Sequence, residues 1–108
     1  MEYTEDFLKK IVQVGTLGYP LSKIINILDI EDAVQFEKDF YNADNIVYKS
    51  YIKGVDKADF VLDSKLFDMA KNGDLRALKE YQERKKMSQI KFRQEGHDNR
   101  KNRGRKET

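Results

Sequence analysis

The chain has 108 residues and a mass of 12.7 kDa, room for one domain and a tail, and only 39% of it is hydrophobic against 37% charged. With no cysteine, no apolar run of membrane-spanning length and no signal peptide at its start, the sequence excludes disulfides and thiolate chemistry and reads as a soluble, intracellular protein. Its net charge of +2 is unevenly spread: residues through Glu83 carry 11 Lys or Arg against 16 Asp or Glu, and those from Arg84 onward carry 10 against 3.

Thr4 is placed to cap a first helix, with Glu5 and Asp6 in the first turn, where the helix dipole favours acids. Tyr3 and Leu8 stand at N′ and N4, the two positions of a hydrophobic staple. Leu8, Ile11 and Val12 give the buried face of this helix, which is expected to end near Val14. Gly15, Gly18 and Pro20 then read as a loop. A second helix from about Leu21 to Leu28 turns Ile24, Ile25, Ile27 and Leu28 mostly inward, and Asp29 and Ile30 turn the chain. A third, from about Glu31 to Phe40, buries Ala33, Phe36 and Phe40. Three short helices with a tight turn between the second and third have the layout of a helix-turn-helix. The third helix would bring Glu31, Asp32, Glu37 and Asp39 towards phosphate, with only Lys38 to oppose them. Affinity for DNA rests largely on neutralising phosphates, so this helix is poorly suited to groove reading.

Asn42-Ala43-Asp44 leads into a long helix. There Tyr48, Tyr51, Val55, Ala58, Leu62, Leu66 and Met69 recur at steps of three and four, within a stripe about 80° wide. Phe60 and Phe67 fall outside that stripe. They pack either on the N-terminal segment of the same chain or on a neighbouring subunit, since exposed aromatic patches mark contact surfaces. Gly73 suits the left-handed position that ends a helix, and Asp74 can cap the next. Leu75, Leu78 and Tyr81 continue an apolar face, and so short a loop allows only antiparallel neighbours. The expected fold is therefore all-α: a helix-turn-helix-like unit over 1–41, a helical hairpin for oligomerisation over 42–86, and a basic tail over 87–108, disordered after Gly96.

From Arg84 onward the basic residues are Arg84, Lys85, Lys86, Lys91, Arg93, Arg100, Lys101, Arg103, Arg105 and Lys106, the composition of an electrostatic arm for nucleic acid or an acidic protein. Arg100, Lys101, Arg103, Arg105 and Lys106 are candidate DNA contacts, and so are Lys9, Lys10, Lys23, Lys38 and Lys49 nearer the start. Catalysis is not indicated. His97, the only histidine, lies in the tail without a partner at fixed spacing. Gly15-Thr16-Leu17-Gly18 is too short for a phosphate-cradling loop. Asp56, Asp59 and Asp63 are spaced as an exposed helix face, so neither a metal nor a cofactor is expected.

The run Leu17-Gly18-Tyr19-Pro20-Leu21-Ser22-Lys23-Ile24-Ile25, then Tyr48-x-x-Tyr51-x-x-Gly54, then Ala70-x-x-Gly73-Asp74-x-x-Ala77, resembles in its order the small terminase subunits of tailed bacteriophages. The resemblance covers roughly residues 17 to 86. It implies a DNA-packaging adaptor in the host cytoplasm, without enzymatic activity of its own, that forms a homo-oligomeric ring, binds double-stranded viral DNA and engages the large terminase subunit. Tyr48, Tyr51, Phe60 and Phe67 would then lie in or near the subunit contacts. Two other readings fit the same residues: a dimeric helix-turn-helix transcriptional regulator, and a structural oligomeric adaptor whose basic tail binds protein.

Overall fold

A computed structural model describes the backbone over residues 2–107 and the side chains over 2–96. The described residues form five α-helices and no strand: α1 (Glu5–Thr16), α2 (Leu21–Ile27), α3 (Ala33–Phe40), α4 (Ile46–Lys71) and α5 (Leu75–Glu107). The all-α expectation holds. α5 continues through the segment after Gly96 for which the sequence suggests disorder, and the side chains from His97 onward lie outside the described residues. The chain divides into two compact units, Met1–Val61 and Leu62–Thr108, with the division within α4.

Helix ends are set by local chemistry. Thr4 caps α1 by accepting from the Phe7 N–H at 3.1 Å, and Asp32 caps α3 by accepting from the Gln35 N–H, also at 3.1 Å. Asp32 thus precedes the third helix instead of lying within it. Asn45 Oδ1 accepts from the Val47 N–H at 2.9 Å and opens α4. At the end of α1, Gly18 takes a φ of 69°, the Tyr19 N–H reaches Val14 O and the Gly18 N–H reaches Gly15 O. This is a Schellman closure, with a left-handed residue just past the helix. The same closure recurs at Gly73, with φ 98° and bonds from Asp74 N to Met69 O and from Gly73 N to Ala70 O. After α2 the left-handed residue is Asp29, with φ 51° and a bond from Ile30 N to Ile25 O. An Asp tolerates that conformation better than most non-glycine residues.

In the first unit the core is built on Ile11, Val14, Ile24, Phe36, Phe40 and Val47, contributed by four different helices. Phe36 is its centre: fully buried, with the Phe7 and Tyr3 rings edge-on to it and Phe40 tilted against it. Tyr3 stacks on Phe7, with ring centroids 5.3 Å apart, and so fixes the segment ahead of α1. Ile27, expected inward, is half exposed.

Gly15 corrects the expected loop. It is a buried residue inside α1, which runs two residues beyond Val14. A Cβ added at Gly15 would stand 2.2 Å from Tyr51 O, and one added at Gly54 would stand 2.0 Å from Val12 O and 2.7 Å from Thr16 N. The backbones of α1 and α4 therefore touch where these glycines meet. Contact this close is open only to residues without a side chain.

The second unit holds the helical hairpin. Leu66 and Ala77 are buried at its turn, and the Phe67 ring lies 5.4 Å from that of Tyr81. Asp74 accepts from the N–H groups of Arg76 and Ala77 at 3.0 and 3.1 Å, the cap expected there. Arg84 donates to Asp63, so the first basic residue of the expected tail is committed within the hairpin.

Two glycine substitutions separate two kinds of constraint. Gly54→Ala drives a methyl group into backbone that no rotamer change can move, so it should cost about 1–3 kcal/mol, although Ala is the better helix former. A melting temperature at or above that of the unsubstituted protein would refute the close crossing. At Gly73 an added Cβ meets nothing within 4 Å, and only the left-handed backbone is at stake. Gly73→Val should cost about 1–2 kcal/mol, with Gly73→Asn recovering most of it in the same denaturation experiment.

Candidate nucleic-acid interface

The helix-turn-helix-like part is α2, the five-residue turn from Leu28 to Asp32, and α3, with α2 and α3 packed together. The outward side of α3 presents Val34, Glu37, Lys38 and the following Tyr41, all exposed. The acidity expected of this helix is reduced by the fold. Asp39 is buried and points inward, accepting from the Tyr3 hydroxyl and, at 3.0 Å, from Gln35 Nε2. Asp32 is engaged as the helix cap. Of the four acids only Asp39 is withdrawn from the surface; Glu31, Asp32 and Glu37 stay exposed, with Lys38 the one base on α3.

Burial, and then the Asp39 carboxylate beside it, hold the pKa of the Tyr3 phenol well above its ordinary value of 10.0. The phenol therefore stays protonated and donates throughout the neutral range.

The structure divides the candidate lysines. Lys9 and Lys49 line one groove of about 330 Å³ between α1 and α4, with Glu5, Leu8, Val12, Ile46, Ser50 and Lys53. The neighbouring surface of α4 carries Lys49, Lys53 and Lys57 beside Tyr48, Ile52, Asp56 and Phe60. Lys53 and Lys57 were not among the residues the sequence singled out. Their signal is a repeated spacing of four residues starting at Lys49, which keeps all three within about 80° of one helix face. Lys23 lies over the Tyr19 ring, its Nζ 4.0 Å from the centroid, while Lys10 and Lys38 are exposed on α1 and α3. Arg100, Lys101, Arg103, Arg105 and Lys106, together with His97, lie outside the described side chains.

A second groove has the opposite sign. Glu2, Asp29, Glu31 and Asp32 rim a hollow of about 340 Å³ floored by Tyr3, Phe7, Ile30 and Phe36, with no basic residue among its lining.

The four aromatic residues expected at subunit contacts also separate. Tyr51 is half-buried, its ring centroid 4.9 Å from that of Phe40 and its hydroxyl donating to Tyr19 O at 2.8 Å. It holds α4 to the turn that follows α1. Tyr48 is half-buried, whereas Phe60 and Phe67 are 72% and 45% exposed. Among the described residues no group of three His, Cys, Asp or Glu side chains could hold a metal ion. No described helix is long and apolar enough to cross a membrane.

Comparison with protein-family models, with curated proteins and with solved structures finds no match to this chain.

Tyr3→Phe tests the inward role of Asp39. Losing the hydroxyl should cost about 1–2 kcal/mol at neutral pH, because a buried carboxylate oxygen loses its donor. It should also alter the alkaline limb. With the folded-state pKa raised, the unfolded chain releases the phenol proton first, so the stability due to Tyr3 is intact below pH 10 and falls as the pH climbs beyond it. Urea unfolding at pH 7 and in the alkaline range should show a steeper alkaline loss in the unsubstituted protein than in Tyr3→Phe. Parallel curves would show that Tyr3 has no such coupling.

Proposed function

We propose that this chain is a non-enzymatic, oligomeric adaptor that binds double-stranded nucleic acid, of the kind represented by the small terminase subunits it resembles. The observation that carries the reading is the exposure of Phe60 on α4. The opposite face of that helix is committed to the core through Val47, Tyr51 and Gly54. An amphipathic helix with a second, uncovered aromatic face suits a contact between copies. In unit two, Phe67 is partly exposed as well. The order of elements supports the same reading: a small helical unit with a helix-turn-helix-like pair, then a helical hairpin, then a strongly basic end.

Function in such an adaptor comes from avidity. Each copy offers a few charge contacts that are weak at physiological salt, and an assembly presents many at once on one stretch of DNA. The basic end from Arg84 onward supplies the long-range attraction and a segment for a motor-type partner such as a large terminase subunit. The host cytoplasm is the compartment that goes with this role.

Native mass measurement of the full chain is the test. A closed assembly of more than two copies supports the adaptor, whereas a two-fold dimer supports a helix-turn-helix regulator. Phe60→Glu and Phe67→Glu should each shift the population to smaller species while helix content by circular dichroism is kept. If the doubly substituted protein retains the original mass, these residues are not at the contact between copies.

A further inference from the structure

We infer that the phosphate backbone of duplex DNA is held by the α1–α4 face of the first unit, through Lys9, Lys49, Lys53 and Lys57, and not by the outward side of α3. This rests on the nucleic-acid-binding reading above and assigns it a surface.

Charge is the first argument. The residues lining the two adjoining surfaces include these four lysines against Glu5 and Asp56, a balance of +2. Everything through Glu83 sums to −5. The groove beside Tyr3 and Ile30 is lined by four acids and no base. A polyanion approaching this unit is therefore repelled from the hollow formed by the α2–α3 turn and drawn to the side where α1 meets α4. The outward side of α3 offers one lysine and one glutamate.

Spacing is the second. Lys49, Lys53 and Lys57 fall eight residues apart from first to last, about 12 Å along the helix axis. Phosphates of one DNA strand advance about 3.4 Å each along the duplex, so this row spans roughly three to four of them. Lys9 reaches the same groove from α1, next to Lys49 and Lys53, and broadens the row into a patch. All four side chains are exposed, and none is ion-paired among the described residues. The close crossing at Gly15 and Gly54 is what draws α1 near enough for Lys9 to share the groove.

The third argument is order along α4. The basic row ends at Lys57, and exposed Phe60 follows on the same helix surface. A neighbour seated on Phe60 leaves the lysines beside the contact uncovered and brings the basic rows of successive copies into one track.

The test compares three forms of the full chain. One is unsubstituted, one has Lys9, Lys49, Lys53 and Lys57 changed to Gln, and one has the same four changed to Arg. Gln is a good helix former, and all four positions are exposed, so folding and native mass serve as controls. Binding to a mixed-sequence DNA duplex is followed by fluorescence anisotropy across a salt series, with polyglutamate as a second probe. The Gln form should bind DNA more weakly, and its slope of log affinity against log salt should be shallower by roughly 3 to 4, at about 0.9 per phosphate contact. The Arg form should keep the slope, and all three should keep the same mass. If the Gln form binds with an unchanged slope, the groove assignment is overturned while DNA binding stands, and Lys38 or the tail carries it. If the unsubstituted protein binds no DNA, the functional reading falls and the groove falls with it. Four-lysine-dependent binding of polyglutamate without DNA binding would likewise overturn the assignment, in favour of an acidic protein surface.

Discussion

The first unit depends on one contact: the backbones of α1 and α4 meeting at Gly15 and Gly54, where no side chain separates them. Each glycine is a cost to its own helix, about 1 kcal/mol relative to alanine. That cost is offset because the crossing brings Val47 into the core beside Ile11 and Val14, and places Tyr51 where its ring meets Phe40 and its hydroxyl meets Tyr19 O. The helix-turn-helix-like pair is thereby fastened through Phe36 to Phe7 of α1 and through Phe40 to Tyr51 of α4. Moving the helices apart by one methyl group would loosen several of these contacts together, since close-packed interiors do not absorb such a change locally.

The crossing also sorts the charges. Lysines of α1 and α4 are gathered along one groove, and acids of the N-terminal segment and the α2–α3 turn along another. Asp39 shows how far burial can change the meaning of a residue. In sequence it adds to an acidic helix, and in the fold it is withdrawn from the surface as acceptor for Tyr3 and Gln35. A net charge is thus a poor guide to the field a partner meets. The arrangement of the charges decides it.

α4 serves two purposes at different azimuths. One face completes a small core, and the other keeps lysines and then phenylalanine in solvent. A chain with few apolar residues gains little by leaving Phe60 exposed unless association covers it. In the proposed function, assembly and DNA binding draw on the same helix, and the glycine crossing determines which side of that helix faces out.

Much of the fold was legible in the sequence because it is decided over a few residues. Thr4 and Asp74 cap the helices they precede, Gly73 closes the hairpin turn in the left-handed conformation, and the three-and-four recurrence of apolar residues marks α4 as a helix. Each of these is fixed by hydrogen bonds or sterics reaching no more than about six residues along the chain. The buried residues Val47, Ser50 and Gly54 of α4 lie outside that apolar stripe, and its Leu62 and Met69 are exposed. The tertiary structure alone placed Gly15 inside α1, turned Asp39 inward, made Tyr51 a core contact and joined Lys9 to the row at Lys49, Lys53 and Lys57. The deciding partners lie more than 30 residues away: Gly15 is 36 from Tyr51, Tyr3 is 36 from Asp39, Tyr51 is 32 from Tyr19, and Lys9 is 40 from Lys49. A glycine that permits two backbones to touch looks in sequence like one that breaks a helix. Only the arrival of the second helix distinguishes them.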